Sequence, residues 1–403
     1  MANGLFGGGD GTESKPYLVE DANDLNAVRN NLTAYFKQTK NIDLSTYSNW
    51  IPIGTSDDPF SGYFDGSDLE IANLSINLPK RDECGLFGRV DGDTYRPLTI
   101  TNTHLKNCNV IGQFYVGGLV GKCWGYRIEN CSAEGRVSGF NDVGGLIGMI
   151  QSTEVKNCNS KSIVSGDSGI GGLIGWLTGT DVKRCFSEGK VSGEMHVGGL
   201  IGQWSGFHTL EESYAICDVG AIEGSSVYNA GGLVGEFSSK YQITRGVMIN
   251  CYALGSVRAG DKITYEKIIG GLIGILEIYD TEISKPSNVV LNSYSASKVT
   301  GDKKFVVTGG LIGKVDFRST PTPIPVTNSH YDSQISGQYD TGKGFPRTTE
   351  QMKRKSTYSG WNFDTVWKID DGKTYPTFIF LKSEEITQCT AFRISLRMFN
   401  NKN

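Results

Sequence analysis

Apolar residues in this chain come in short runs of four to seven positions, rich in Val, Ile and Tyr and bounded by Gly, Asn, Ser or Asp. Such runs predict short β-strands. Between them no i, i+3, i+4, i+7 pattern lasts long enough for a helical repeat. The runs also recur. Gly-Gly-Leu-(Val/Ile)-Gly begins at Gly117, Gly144, Gly171, Gly198, Gly231, Gly270 and Gly309, with a degenerate Cys-Gly-Leu-Phe-Gly at Cys84. Successive blocks lie 33, 27, 27, 27, 33, 39 and 39 residues apart. A period in this range marks a solenoid, and the short strands make it a parallel β-helix of about three strands per coil. Strands of neighbouring coils then stack about 4.8 Å apart, like residue on like residue.

Three columns follow from that stacking. The block leucines (Leu119, Leu146, Leu173, Leu200, Leu233, Leu272, Leu311) are expected inside. A second landmark is Asn-Cys or a relative, at Cys108, Cys131, Cys158, Cys185, Ser213, Cys251, Ser293 and Ser329. Exchange of Cys for Ser points to a limit on size, with the thiols free. The Asn column (Asn107, Asn130, Asn157, Asn250, Asn292, Asn328) is expected at a corner. Asn tolerates left-handed backbone there, and stacked amides can bond along the column. Extra residues at 236–247, 260–267, 276–290 and 314–326 swell the later coils, and per-repeat insertions of this kind fall in loops.

A solenoid needs its ends covered. In the N-terminal region, 1–60, Ala22, Leu25, Val28, Leu32 and Phe36 predict an amphipathic helix over 21–37 that caps the first coil. The solenoid then spans 61–337, a C-terminal cap 338–381 and a tail 382–403. In the tail Phe392, Ile394, Leu396 and Met398 alternate with polar residues, which predicts a strand for assembly with a second copy or a carrier protein.

Composition narrows the function. Glycine is abundant, 53 of 403 residues, which suits tight corners. The net charge is −4 without a basic stripe, so nucleic acid is not an expected partner. No 18-residue apolar run exists for a membrane span. The start of the sequence lacks a secretory signal pattern, which suggests folding in a cytoplasm. Nine cysteines and four histidines form no CxxC or close Cys/His pairing, so no metal or cofactor is expected.

Catalytic signatures are absent as well. There is no HExxH. Gly202–Gly206 reads GxxSG rather than GxSxG. His104, His196, His208 and His330 fall in different coils. Asp316, Asp332, Asp340, Glu211 and Glu212 read as solvated surface. No catalytic residue is assigned. Aromatic faces stack on sugars and anchor interfaces, so Trp124, Trp176, Trp204, Phe207, Tyr241, Tyr265 and Tyr279 are the candidate ligand-binding residues.

The pattern GGLVG…IENCSAEGRVSG…VGGLIG resembles GLUG repeats, and the segments around it are similar to those that bracket such repeats, over roughly residues 5–381. The resemblance implies a right-handed parallel β-helix of bacterial surface proteins, some secreted proteases and phage virion appendages. With no export signal, the expectation is a non-enzymatic phage virion protein, made in the host cytoplasm and released by lysis. Its expected partners are virion proteins or a host-surface glycan or protein, with homo-oligomers allowed. A bacterial cell-surface adhesin or passenger fragment is the alternative, and a polysaccharide depolymerase the second.

Overall fold

The computed structural model describes residues 6–92, 99–152, 154–206, 208–238, 246–261, 266–278, 289–301, 305–317 and 326–381. The swollen loops lie partly outside them. So do the tail residues Phe392, Ile394, Leu396 and Met398, and the candidate aromatics Phe207, Tyr241, Tyr265 and Tyr279.

The chain winds as a parallel β-helix. Each regular coil carries four strands, as in Asn141–Gly144, Ile147–Gln151, Glu154–Lys156 and Asn159–Ser165. The first strands of the coils form a seven-stranded sheet and the second an eight-stranded sheet. The third and fourth belong to one large sheet. Pairing between coils is parallel and in register: Ile147 sits between Val120 and Ile174, and Val164 between Val137 and Val191. The fourth strand arises because the Asn landmark is a corner, not the middle of a strand.

That corner is left-handed in eight successive coils. Asn102, Asn130, Asn157, Arg184, Glu212, Asn250, Asn292 and Asn328 all have φ between 45° and 55°. The amides bond along the column, Asn157 Nδ2 donating to Asn130 Oδ1 at 3.0 Å and Asn130 Nδ2 to Asn102 Oδ1 at 3.1 Å. Where Arg184 and Glu212 interrupt the row, they pair with each other at 2.7 Å. The register corrects one assignment. Asn102-Thr103, not Asn107-Cys108, occupies the corner below Asn130-Cys131. A register shift places Cys108 opposite Gly135, and Asn107 bonds to Asn73 in a separate short amide row.

Core columns run the length of the stack. All seven block leucines are fully buried. The second glycine of the blocks from Gly118 to Gly271 faces Ala or Ser across the interior, and Gly310 of the last block faces the Tyr331 ring. A methyl at Gly145 would lie 2.1 Å from Ser160 Oγ, and at Gly199 2.9 Å from Ala215 Cβ. The body is therefore thin at this level, which the missing glycine side chain permits. The eight described cysteines are buried and unbridged. Cys131, Cys158 and Cys185 stack with Ser213, Cys251, Ser293 and Ser329, whose hydroxyls accept from the preceding coil: Cys185 N–H donates to Ser213 Oγ at 3.0 Å.

Both ends differ from expectation. The N-terminal helix is shorter, Ala22–Ala27 followed by a 3₁₀ turn Val28–Asn30, and is N-capped by Asp21. Phe36 lies instead in the strand Tyr35–Gln38, fully buried and paired in parallel with Tyr17–Val19 and Tyr63–Ala72. Burial of that ring in the first coil outweighs a weak helical preference. Coils thus begin within 1–60. At the other end, Phe345–Arg347 pairs with His330–Asp332, so stacking continues beyond 337.

The segment after that strand does not merely lid the stack. It folds back along the flank. Following the Cys/Ser column, Phe186, Tyr214, Tyr252 and Tyr294 stack face to face with centroids 4.8–5.1 Å apart. Trp361, Trp367, Tyr375 and Phe378 cover this ladder. Tyr294 Oη donates to Pro376 O at 2.7 Å, and Trp361 Nε1 to Asn328 O at 2.9 Å.

Candidate binding surface

The Gly-Gly-Leu-x-Gly block builds a surface feature that composition alone does not reveal. Its first and fifth glycines lie where the first and second strands of the coil meet, backbone against backbone. A methyl at Gly144 would sit 2.0 Å from Ile147 O, and one at Gly148 2.4 Å from Val116 N. The two strands therefore approach backbone to backbone along a narrow crease that runs across the coils.

Two rows of side chains face each other along the crease. One row sits just before each block: Glu83, Tyr115, Asp142, Gly169, His196 and Asn229. Its members from Glu83 to His196 have left-handed backbone. The other row sits just after: Arg89, Lys122, Met149, Trp176, Gln203, Glu236, Ile275 and Lys314, which the strand register aligns. Contacts run both across the crease and along its rows. Arg89 Nη1 pairs with Glu83 at 3.0 Å and its Nε with Asp91 at 2.7 Å. The Lys122 ammonium lies 4.6 Å from the centre of the Tyr115 ring. His196 Nδ1 pairs with Glu236, and Gln203 Nε2 donates to Glu236 Oε1 at 3.5 Å.

Asp142 is the perturbed group of this surface. Burial raises its carboxyl to about 7, against the smaller opposing pull of His196 and Lys122. Its carboxyl leans over Gly169, where a methyl would come within 2.5 Å of Asp142 Oδ1. Gly169, with φ of 69°, keeps the row's left-handed backbone while making room.

The predicted tryptophans separate. Trp124 is exposed and lies in the row Asp91, Trp124, Gln151, Thr178, Ser205. Trp176 is half-buried in the crease wall. Trp204 is not exposed, which corrects its place among the ligand-binding candidates. It is fully buried in the row Cys123, Ile150, Leu177, Trp204, Phe237 and stacks on Phe237. Counting from the block start carries the signal: Trp204 aligns with apolar Ile150 and Leu177, whereas Trp176 aligns with Lys122 and Gln203. The crease residues Asp142, His196 and Glu236 escaped sequence reasoning, because a close approach of two glycines reads as a turn, not as a cleft.

The acidic residues considered for catalysis have structural partners. Glu211 pairs with Lys183 at 2.8 Å and Glu212 with Arg184. Asp332 is buried, caps the short helix Ser333–Ser336 and accepts the Tyr375 hydroxyl. Asp340 Oδ1 accepts from Gly310 N at 2.9 Å. His330, wedged among Phe345, Tyr358 and Trp361, is lowered to about 4 by burial, with a smaller contribution from Arg347. Among the described residues, no group of three or more His, Cys, Asp or Glu is placed to hold a metal.

Known proteins share both the repeat and the fold. Residues 112–138 match the GLUG motif. A candidate Gly-rich membrane protein of Evansella cellulosilytica is 33% identical over 91% of this chain. Halomucin of Haloquadratum walsbyi is 32% identical over 34% of it. The aligned regions make up 45% and 2% of those two proteins, so the chain spans less than half of either. The crystal structure of a candidate immunoglobulin A1 protease from Bacteroides ovatus superposes with a TM-score of 0.54 at 22% identity. That alignment covers 94% of this chain and 97% of the other, a likeness of fold. With the motif matched at one coil and its columns repeated through the stack, the chain carries GLUG-type repeats on a parallel β-helix.

Proposed function

We propose that this chain is a non-catalytic binding module of a cell-surface protein, and that the crease is its binding face. The carrying observation is the crease itself. It is a strip running across successive coils, lined by aromatic, amide and ionisable side chains in fixed register. Concave surfaces with a few convergent polar groups are where ligands bind. The surface location rests on the relatives, one described as a membrane protein and one named halomucin. They favour the cell surface over the virion expected from the sequence.

Immunogold labelling of intact cells that express the parent protein tests the location. Label on the envelope is expected, and label confined to released virions would overturn it. Beads coated with the protein should adhere to cells or extracellular matrix, and adherence should fall when Lys122 and Gln203 are both replaced by Ala. Undiminished adherence would remove the crease as the binding face.

A further inference from the structure

We infer that the part of the crease bounded by Trp176, Asp142, Gln203 and His196 is a subsite for a neutral saccharide ring. This deepens the binding-face reading and rests on it. Four observations converge here, each independent of the others.

The first is a break in one row. Left-handed Glu83, Tyr115, Asp142 and His196 all carry side chains, and Gly169 does not. Coils lie about 4.8 Å apart, so Asp142 and His196 stand roughly 10 Å apart along the wall, and the Asp142 carboxyl leans into the gap that Gly169 leaves between them. The second is the residue opposite the break. Trp176 is the one indole of its row and is only half-buried. Its neighbours in the row are Met149 and Gln203. An aromatic face beside hydroxyl-binding groups is how proteins seat sugar rings.

The third is the mix of hydrogen-bonding groups. Gln203 brings an amide with donors and an acceptor. The Asp142 carboxyl, kept partly protonated near neutrality by burial, both donates and accepts. A hydroxyl likewise does both. The fourth is charge. Arg89 is paired with Glu83 and Asp91, His196 with Glu236, and the Lys122 ammonium lies on Tyr115. Among the described residues, the crease presents no cluster of uncompensated cations for phosphate, nucleic acid or an acidic polysaccharide. A neutral, hydroxyl-rich, flat ligand fits what remains.

The test uses the whole chain at pH 6, titrated by saturation-transfer NMR with cellotetraose, chitotetraose, mannotetraose and, as the acidic arm, tetragalacturonate. At least one neutral oligosaccharide is expected to bind. Trp176→Ala should weaken it tenfold or more. Gly169→Asn, which suits left-handed backbone but displaces the Asp142 carboxyl, should weaken it similarly. Lys373→Ala, exposed on the returning segment away from the crease, should leave it within twofold. Because a crease variant can misfold, hydroxyl-radical footprinting of the unaltered protein supplies a second readout: the bound sugar should protect Trp176 and not Trp124. Binding of none of the four, preference for tetragalacturonate, or protection elsewhere would overturn the subsite. Adhesion retained by crease-dependent contacts while all four sugars fail would overturn the saccharide assignment alone.

Discussion

Trp367 packs against Tyr252, the ring centroids 6.2 Å apart, although Tyr252 lies in a coil and Trp367 in the segment that follows the last stacked strand. Trp367 also contacts Tyr294 and Phe378, and its Nε1 donates to Asn250 Oδ1 at 3.4 Å. This one side chain ties the returning segment to two coils of the solenoid flank.

Replacing Trp367 by Ala should therefore detach the segment rather than unfold the stack. Truncation of a buried Trp costs about 3–5 kcal/mol, and the loss should be local because each coil contacts mainly its neighbours. Hydrogen exchange is expected to rise at 348–381 and in the strands holding Tyr214, Tyr252 and Tyr294, while the strands around Ala133 and Ser160 stay protected. Uniform loss of protection would show that the segment is needed for the whole solenoid.

The Asn column lends itself to a graded experiment. Asn157 contributes a tolerated left-handed conformation and an amide that bonds to Asn130. Asn157→Gly keeps the first and loses the second, at about 1 kcal/mol. Asn157→Ala loses both, adding roughly 1 kcal/mol for the strained backbone. Urea melts should rank the wild type above Gly and Gly above Ala. Equal stability of the two variants would mean that backbone conformation plays no part.

Much of this architecture was legible before any coordinates. The block period gave the coils, Leu146 and its equivalents the core, and Asn130 and Asn157 the corners, because stacked repeats force like residues into shared environments. What stayed hidden depends on distance rather than pattern. That Gly144 and Gly148 bring two strands into backbone contact, and so create the crease, has no signature in one coil. Trp367 on Tyr252 is a contact between non-repeating and repeating parts, which periodicity cannot register. Phe36 was misread for a related reason: its spacing suits a helix face, but the first coil needed an aromatic in a strand.

The buried thiols should be unreactive in the folded protein. Burial raises Cys108 to about 11 and Cys217 to about 12, and Cys131 and Cys158 well above the usual thiol range. Only the thiolate attacks alkylating agents. Iodoacetamide at pH 8 should leave these four unmodified until urea unfolds the chain. Cys158→Ser should be mild, since Ser213, Ser293 and Ser329 hold the same column position. Rapid alkylation of Cys131 in the native protein, or a Cys131–Cys158 bridge in unreduced protein, would contradict the burial.

Two buried groups set opposing pH dependences. Asp142 is raised from 3.8 to about 7, so the folded state holds a proton that the unfolded state has released. Stability from this group is fullest below pH 3.8 and is lost as pH rises to about 7. The limit is about 4 kcal/mol, reduced because the carboxyl keeps some contact with water. His330 is lowered from 6.5 to about 4, so here the unfolded state takes up the proton first. Its contribution is present above pH 6.5 and is lost as pH falls through 4, with a limit of about 3 kcal/mol. Between pH 4 and 6.5 the two slopes oppose each other, and the wild type should be nearly flat in urea melts across that window. Asp142→Asn removes one slope, so stability should then rise with pH from 4 to 6.5. His330→Phe removes the other, so stability should fall from pH 4 to 7. An Asp142→Asn profile that parallels the wild type would show that this carboxyl titrates normally, and that the crease is wetter than its geometry implies.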